Sequence, residues 1–370
     1  MFDPEKKLAD KIAIFENALI VPQGEARRQG IAMSAGIYDK TGSYQPIGQC
    51  WRNSALPTTF RPGQLPSETP KERYGTWIFG GLLYNHFGHA LLESTARLWA
   101  RDFVPEAKGV LFLLKKANRP KRFVESMMPM LTMFGGNIGR VMPVVEPTHV
   151  ERLVVAPQAF GTGDMIAGGP EFRNHIHRNL AGQIKPEGAE KVYISRSQLY
   201  SKRGRYLAED LIEEYLAAEG YRIFHPQNHP LEEQAAQYAM ARRVISSDSS
   251  ALHLAAFFAG PESRLAIILR RPATVLDDYL TQYHWFASIK PDVIDVLTGQ
   301  YFRPSGGKPN QLSELYSEID LPKLANLLAK TGYIHRPSAW APAPAQHLDS
   351  ERIALSQRLG IDIVSAEINT

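Results

Sequence analysis

The sequence lacks several features that would settle its class at once. Cys50 is the single cysteine, so no internal disulfide can form, and this usage suits a reducing compartment. No apolar run approaches the roughly 18 to 20 residues that a membrane helix needs; the longest candidates are 265–269 and 251–258. The start, Met1-Phe2-Asp3-Pro4-Glu5-Lys6-Lys7, lacks the basic-then-apolar order of a secretory signal. Neither sign of charge dominates: 42 Lys+Arg against 38 Asp+Glu give a formal charge of +4, too mild to argue for nucleic acid. There is no Walker sequence, no Gly-x-Ser-x-Gly elbow and no internal repeat. These absences lead us to expect a soluble, cytoplasmic, bacterial protein that is free to take anionic small molecules.

What is there is an ordinary globular composition, 44% hydrophobic and 22% charged over 370 residues. That length suits about two domains. In the first half, strands are expected at 13–21, 31–38, 76–83, 109–114, 140–145 and 151–156, with a helix over about 86–101. The stretch Gly161-Thr162-Gly163-Asp164 through Gly168-Gly169-Pro170 lacks the third glycine of a dinucleotide fingerprint and reads as a loop or hinge. From 191 onward strands and helices alternate, with strands at 192–195, 221–224, 244–246 and 265–269, which predicts a parallel, Rossmann-like sheet. Asp320-Leu321-Pro322 opens another helix, and a last one runs over about 350–359. The expected domains are 1–180, 185–335 and a C-terminal segment 336–370 whose extended start, 336–344, could cross between domains.

Ligands of such sheets bind beyond the carboxyl ends of the strands. After the 192–195 strand come Arg196, Lys202, Arg203 and Arg205; after the 244–246 strand comes Ser246-Ser247-Asp248-Ser249-Ser250-Ala251-Leu252-His253. Cations facing a helix start rich in small hydroxyl residues suit a phosphate. The bland alternatives are N-caps, a solvated loop and a packed histidine. Gln234 opens a neighbouring helix behind the loop His225-Pro226-Gln227-Asn228-His229-Pro230, which could contact a base or ribose. The first half concentrates its polar chemistry in Asn85-His86-Phe87-Gly88-His89-Ala90-Leu91-Leu92-Glu93. If Asn85 caps a helix there, His89, Glu93 and Arg97 share one stripe, and an imidazole beside a carboxylate can act as a general base. The alternative is a Glu93–Arg97 surface pair. His86, His89 and Glu93 could clasp zinc, but their spacing is not that of a His-Glu-x-x-His site, so no metal is expected. Trp51, Arg52, Arg73, Tyr74 and Trp77 could line an acceptor groove or simply be core.

These residues resemble glycosyltransferase family 61. Asn85 to Glu93 with Arg97-Leu98 is similar to its N-x-x-G-H-x-L-x-(D/E)…R-L signature. Tyr193-Ile194-Ser195-Arg196 with Arg205 and Glu209 is similar to its Y-x-S-R…R…N-E stretch, and Glu233-Gln234 to its E-Q helix. Ala208 stands where the family has asparagine, and Asp248-Ser249 where it has His-Gly. Asp248-Ser249 with His253-Leu254-Ala255 looks more like the donor segment of bacterial heptosyltransferases. The resemblance implies a GT-B fold: two Rossmann-like domains facing across a cleft. It also implies inversion at the anomeric carbon without a metal. Arg196, Arg205 and Gln234 would serve a nucleotide-sugar donor, and His89 with Glu93 would face the acceptor, beside Asn85 and His86. The expected site then places the donor phosphates at Ser249-Ser250 between Arg196 and Arg203 or Arg205. Asp248 would contact a sugar hydroxyl or ribose, and Glu93 or His89 would remove the acceptor's proton. The expected activity is glycosyl transfer from a UDP-, CMP-, GDP- or ADP-linked sugar, as co-substrate, to an oligo- or polysaccharide of the bacterial capsule or surface. The enzyme is expected to need no bound cofactor and to be at most peripherally membrane-associated. The rival is a non-catalytic nucleotide-sugar or glycan-binding protein of the same fold.

Overall fold

The computed structural model describes residues 1–23, 31–115, 118–199, 203–272, 276–307 and 311–368. The chain folds into two units, Met1–Ile184 and Lys185–Thr370. Among the described residues, no helix is long and apolar enough to cross a membrane.

The first unit is built on a six-stranded mixed sheet. Its strands are β1 (Ala13–Val21), β2 (Gly36–Tyr38), β3 (Lys71–Leu83), β4 (Gly109–Leu114), β5 (Arg140–Val144) and β6 (Thr148–Val155), in the order β2-β1-β6-β3-β4-β5. β6, β3, β4 and β5 run parallel, whereas β1 pairs antiparallel with both β6 and β2. This unit therefore departs from the expected Rossmann-like sheet: an antiparallel edge is added to a four-stranded parallel core. β4 is buried throughout, as its unbroken apolar run Gly-Val-Leu-Phe-Leu-Leu demands. Helix α1 (Pro120–Gly135) returns the chain from β4 to β5, and α2 (Pro170–Asn179) follows β6. The expected helix over 86–101 is instead one turn at Phe87–His89, a π-helical turn at Ala90–Ser94 and a 3-10 stretch at Leu98–Asp102.

The second unit carries a five-stranded, fully parallel sheet. Its strands are β7 (Lys191–Ile194), β8 (Arg222–Phe224), β9 (Arg243–Ser247), β10 (Arg264–Ile268) and β11 (Asp292–Ile294), in the order β8-β7-β9-β10-β11. Helices α3 (Glu209–Ala218), α4 (Leu231–Met240), α5 (Ser250–Ala255) and α6 (Leu276–Ala287) alternate with them. This 2-1-3-4-5 order is that of a doubly wound sheet, and the order reverses between β7 and β9. A ligand of such a sheet sits at that reversal, beyond the carboxyl ends of the two strands.

The chain continues through β12 (Leu297–Pro304), β13 (Tyr316–Ile319), α7 (Leu321–Lys330), α8 (Ala345–Leu359) and β14 (Ile363–Ser365). β12 takes β13 and β14 as antiparallel neighbours. Asp320 caps α7 by accepting from the Lys323 N–H at 2.9 Å. The stretch 336–344, expected to cross between domains, lies against the second unit in its described contacts. The Trp340 ring stacks on Tyr215 at 4.8 Å, and the Ala341 N–H donates to the Tyr215 hydroxyl. Trp340 belongs to the same apolar core as Tyr193, Ile212, Ile245 and Leu324. Burying so large an aromatic body fixes where the segment lies.

Candidate active site

Two clusters of polar side chains stand at carboxyl ends of parallel strands, one in each unit. In the first unit, a bulge at Gly81 (φ +90°) kinks the end of β3, a conformation in which a Cβ would be strained. Just beyond it the chain turns into the π-helical segment. The Ser94 hydroxyl donates to the Leu82 carbonyl at 2.9 Å and accepts from the Tyr84 N–H at 3.0 Å, and Thr95 Oγ1 donates to the Leu91 carbonyl at 2.6 Å. These bonds pin the widened turn, of a kind often found at functional sites.

Glu93 is thereby held in the interior, with its side chain 3% exposed, and His89 Nδ1 lies 2.7 Å from its Oε1. The Arg52 Nε reaches the same oxygen at 3.3 Å, from the short hairpin that pairs Trp51–Asn53 with Leu56–Pro57. A carboxylate oxygen is an acceptor, so it fixes the tautomer with the proton on Nδ1 and leaves a lone pair on Nε2. The rings of His86 and Tyr84 stand 5.0 and 5.6 Å from that of His89. Burial, reinforced by the negative charge of Glu93, pushes the Tyr84 hydroxyl well up, so it stays protonated.

Arg97 does not share this stripe, because the π-helical turn rotates the later residues. It is fully buried and donates to the carbonyls of Ala156 (2.9 Å), Ile47 (3.2 Å) and Gln49 (2.7 Å) and to Gln158 Oε1 (3.3 Å). It braces loops and forms no surface pair with Glu93. Asn85 is exposed and caps nothing; the residue before the turn is His86, which makes no side-chain cap.

In the second unit the cluster lies at the reversal between β7 and β9. Glu209, at the head of α3, is fully buried beneath it. Glu209 accepts from the Tyr193 hydroxyl and the Arg196 N–H, both at 2.9 Å, and burial raises its carboxyl. This anchors the turn that carries Arg196. The Arg196 guanidinium donates to the Gly204 carbonyl at 3.3 Å, and Arg270 donates to the same oxygen at 3.2 Å. Gly204 must be glycine here: a Cβ would fall 1.5 Å from the Leu315 carbonyl oxygen.

Asp248 is 3% exposed and lies between two guanidiniums, Arg270 Nε at 3.1 Å from Oδ1 and Arg271 Nε at 2.6 Å from Oδ2. Burial pulls Arg270 down to about 10 although Asp248 pulls it up, and burial likewise lowers Arg196. Asp248 thus pairs with two guanidiniums, and that of Arg196 feels the same carboxyl group. The Arg196 Nε and the hydroxyls of Ser247 and Ser249 are buried without a hydrogen-bond partner among the described residues. Ser249 stands just before α5 but does not cap it, and that helix, Ser250–Ala255, is too short to add much dipole.

The other expected donor residues are placed as follows. Arg203 is exposed, and Lys202 lies outside the described residues. Arg205 faces α8, where its guanidinium meets Glu351 at 2.7 Å, and Glu351 also accepts from the Ala208 N–H. Gln234 is spent on its own loop, donating to the carbonyls of Pro226 (2.8 Å) and His229 (3.0 Å). His253 points into the packing, 2.6 Å from Gln282 Oε1 and 4.6 Å from the Tyr279 ring, and burial lowers it to about 4. The structure brings together Arg196, Asp248 and Ser249, and separately His89, Glu93 and His86. It adds Arg270 and Arg271, and sets Arg52, one of the acceptor-groove candidates, against Glu93. Among the described residues, Asp210, His347 and Glu351 draw donor atoms within 4.8 Å of one another, as a metal would need; His86, His89 and Glu93 do not. Asp210 and His347 already bind each other, and Glu351 is taken by Arg205.

Residues 87–266, which include His89, Glu93, Arg196 and Asp248, match the family model for Glycosyltransferase 61. The protein is a glycosyltransferase. A glycosyltransferase takes a sugar donor and an acceptor. No curated protein matches the chain. Among solved structures it is similar to the dodecameric iron-containing heptosyltransferase TibC in complex with ADP-D-beta-D-heptose. That match has 12% identity, covers 72% of this chain and 79% of that one, and has a TM-score of 0.25. It is also similar to the TibC glycosyltransferase of enterotoxigenic E. coli H10407, with 10% identity, 72% and 80% coverage and a TM-score of 0.27. Superposition this poor says nothing about the glycosyltransferase's own reaction.

Proposed function

We propose that this glycosyltransferase is an inverting, metal-independent enzyme of family 61. It would move a sugar from a nucleotide-sugar to a glycan acceptor in bacterial capsule or surface polysaccharide synthesis, within the cytoplasm and on a GT-B arrangement. The observation that carries the donor side is the set of buried, unpartnered donors at the sheet reversal, Arg196 Nε, Ser247 Oγ and Ser249 Oγ, beside Arg270 and Arg271. A buried donor left without a partner costs about 1–3 kcal/mol, so three together call for an acceptor from a ligand, and the surrounding cations call for an anion. A nucleoside diphosphate meets both needs. Asp248, already held by two arginines, serves as their counter-ion and positions them rather than reading a sugar hydroxyl.

On the acceptor side His89 is the base and Glu93 its positioning partner. Glu93 Oε1 holds the Nδ1 proton and is itself balanced by Arg52, so Nε2 takes the proton of the acceptor hydroxyl. The acceptor oxygen then bonds to the anomeric carbon from the face opposite the phosphate. The bond from that carbon to the phosphate oxygen breaks, and its electron pair leaves with the nucleotide. Charge develops on the leaving oxygen, where the guanidiniums stabilise it. Proton transfer of this kind contributes on the order of 10²–10⁴-fold.

The test is release of free nucleotide from a panel of UDP-, CMP-, GDP- and ADP-sugars in the presence of acceptor glycans. His89→Ala should lose turnover with donor affinity unchanged, and Glu93→Gln should lose less. Full turnover in a folded His89→Ala protein rejects the base assignment. Release from none of the four donor classes by the wild type rejects the nucleotide-sugar reading.

A further inference from the structure

The end of the sheet that carries His89 carries a second feature, a basic surface that the transfer chemistry does not use. β3 and β4 are parallel neighbours in register, Leu83 beside Leu114, so the segments that leave them start side by side. Lys115 follows β4 and places its ammonium 5.6 Å from the centre of the Tyr84 ring, which stands 5.6 Å from the His89 ring. Arg119, Lys121 and Arg122 then lead into and over the first turn of α1. Those three are exposed, and none forms an ion pair among the described residues.

Two of the cations stand where they cost stability. The first turn of a helix carries partial positive charge and favours Asp or Glu, yet that of α1 holds Lys121 and Arg122 and no acid. Arg119 before it adopts a left-handed conformation, φ 51° and ψ 56°, with no side-chain cap. A solvated helix start would normally collect acids, so cations kept there against the helix dipole suggest a use.

We propose that the acceptor is anionic, and that Lys115, Arg119, Lys121 and Arg122 read a carboxylate or phosphate one or two sugar units from the hydroxyl that reacts. This rests on the reading that His89 faces the acceptor. The distances suit it: the Lys115 ammonium lies two ring contacts from His89, about the span of one to two pyranose rings. The acid group belongs either to the glycan itself, as in a uronic acid, or to a phosphate that links the glycan to a lipid.

The test titrates the full chain at low salt with three probes: tetragalacturonate for the carboxylate, undecaprenyl phosphate in neutral micelles for the phosphate, and neutral maltotetraose. The Lys121→Gln/Arg122→Gln double variant and a Lys290→Gln control, exposed in the second unit, are titrated alongside. At least one anionic probe should bind more tightly than maltotetraose. The double variant should weaken that probe at least tenfold, the control should not, and added salt should remove the difference. Which probe responds identifies the source of the charge. Binding of the anionic probes no tighter than maltotetraose, or equal binding by wild type and double variant, overturns the proposal. His89→Ala turnover, read separately on any acceptor, tells failure of this inference from failure of the base assignment.

Discussion

Replacing Asp248 by Asn separates two roles for this residue by their effect on stability. If Asp248 were a ligand for a sugar hydroxyl, its removal would weaken donor binding and leave folding nearly untouched. The structure has it buried between Arg270 and Arg271, at 3.1 and 2.6 Å, with all three side chains at most 12% exposed. Asn keeps the volume but removes the charge and leaves two enclosed guanidiniums uncompensated. Removing one partner of a buried pair costs about 3–5 kcal/mol. For a unit of this size each kcal/mol lowers the melting temperature by about 2–4 °C, so the second unit should melt roughly 6–20 °C lower. Differential scanning calorimetry reads this directly. On the proposed donor site a phosphate-bearing ligand would restore negative charge between the same guanidiniums, so millimolar nucleoside diphosphate should raise the melting temperature of the variant more than that of the wild type. A fall of less than about 3 °C, or no extra gain with nucleotide, would contradict the counter-ion role of Asp248.

Burial lowers His253 to about 4 from its ordinary 6.5, so its neutral form is the one the fold accepts. Below pH 6.5 the unfolded chain binds a proton that the folded chain refuses. The associated stability is therefore complete above pH 6.5 and lost as pH falls towards 4, at about 1.4 kcal/mol per unit. His253→Gln should remove that part of the acid sensitivity, seen as a smaller difference between urea midpoints at pH 7 and pH 5; an unchanged difference contradicts it. Gly204→Ala forces the carbonyl shared by Arg196 and Arg270 away from Leu315. Calorimetric titration should show nucleotide affinity lowered at least tenfold, and wild-type affinity would contradict the geometry. Glu351→Gln releases Arg205, with an expected loss of about 2 kcal/mol in chemical unfolding; an unchanged midpoint would mean the ion pair contributes nothing.

Much of the second unit's architecture is legible in the sequence because buried parallel strands leave unbroken apolar runs. Val244-Ile245 and Leu265-Ala266-Ile267-Ile268 announce β9 and β10, and the stripe through Leu211, Tyr215 and Leu216 announces α3. The Asp320 cap is equally plain, since capping is local chemistry. The 86–101 region misleads because its turns are set by contacts beyond the period of a helix, the Gly81 bulge and the Ser94 bond to Leu82. Arg52 carries no local sign of its role: a hairpin far upstream brings it to Glu93. Arg270 and Arg271 did carry a sign, since they follow directly on β10 at the carboxyl end of the sheet. Position beyond a strand's carboxyl end marks them just as it marks Arg196 and Asp248. Glu351 and Arg205 find each other only through the docking of α8, which no spacing announces.

An anionic leaving group held where β7 and β9 part company should depend on the arginines there. Calorimetric titration of UDP, CMP, GDP and ADP into wild type, Arg196→Gln and Arg271→Gln measures this dependence most directly. At least one nucleotide should bind the wild type, and each variant should lose at least tenfold in affinity for it. Binding that is indifferent to both substitutions, or no binding of any of the four, would contradict it.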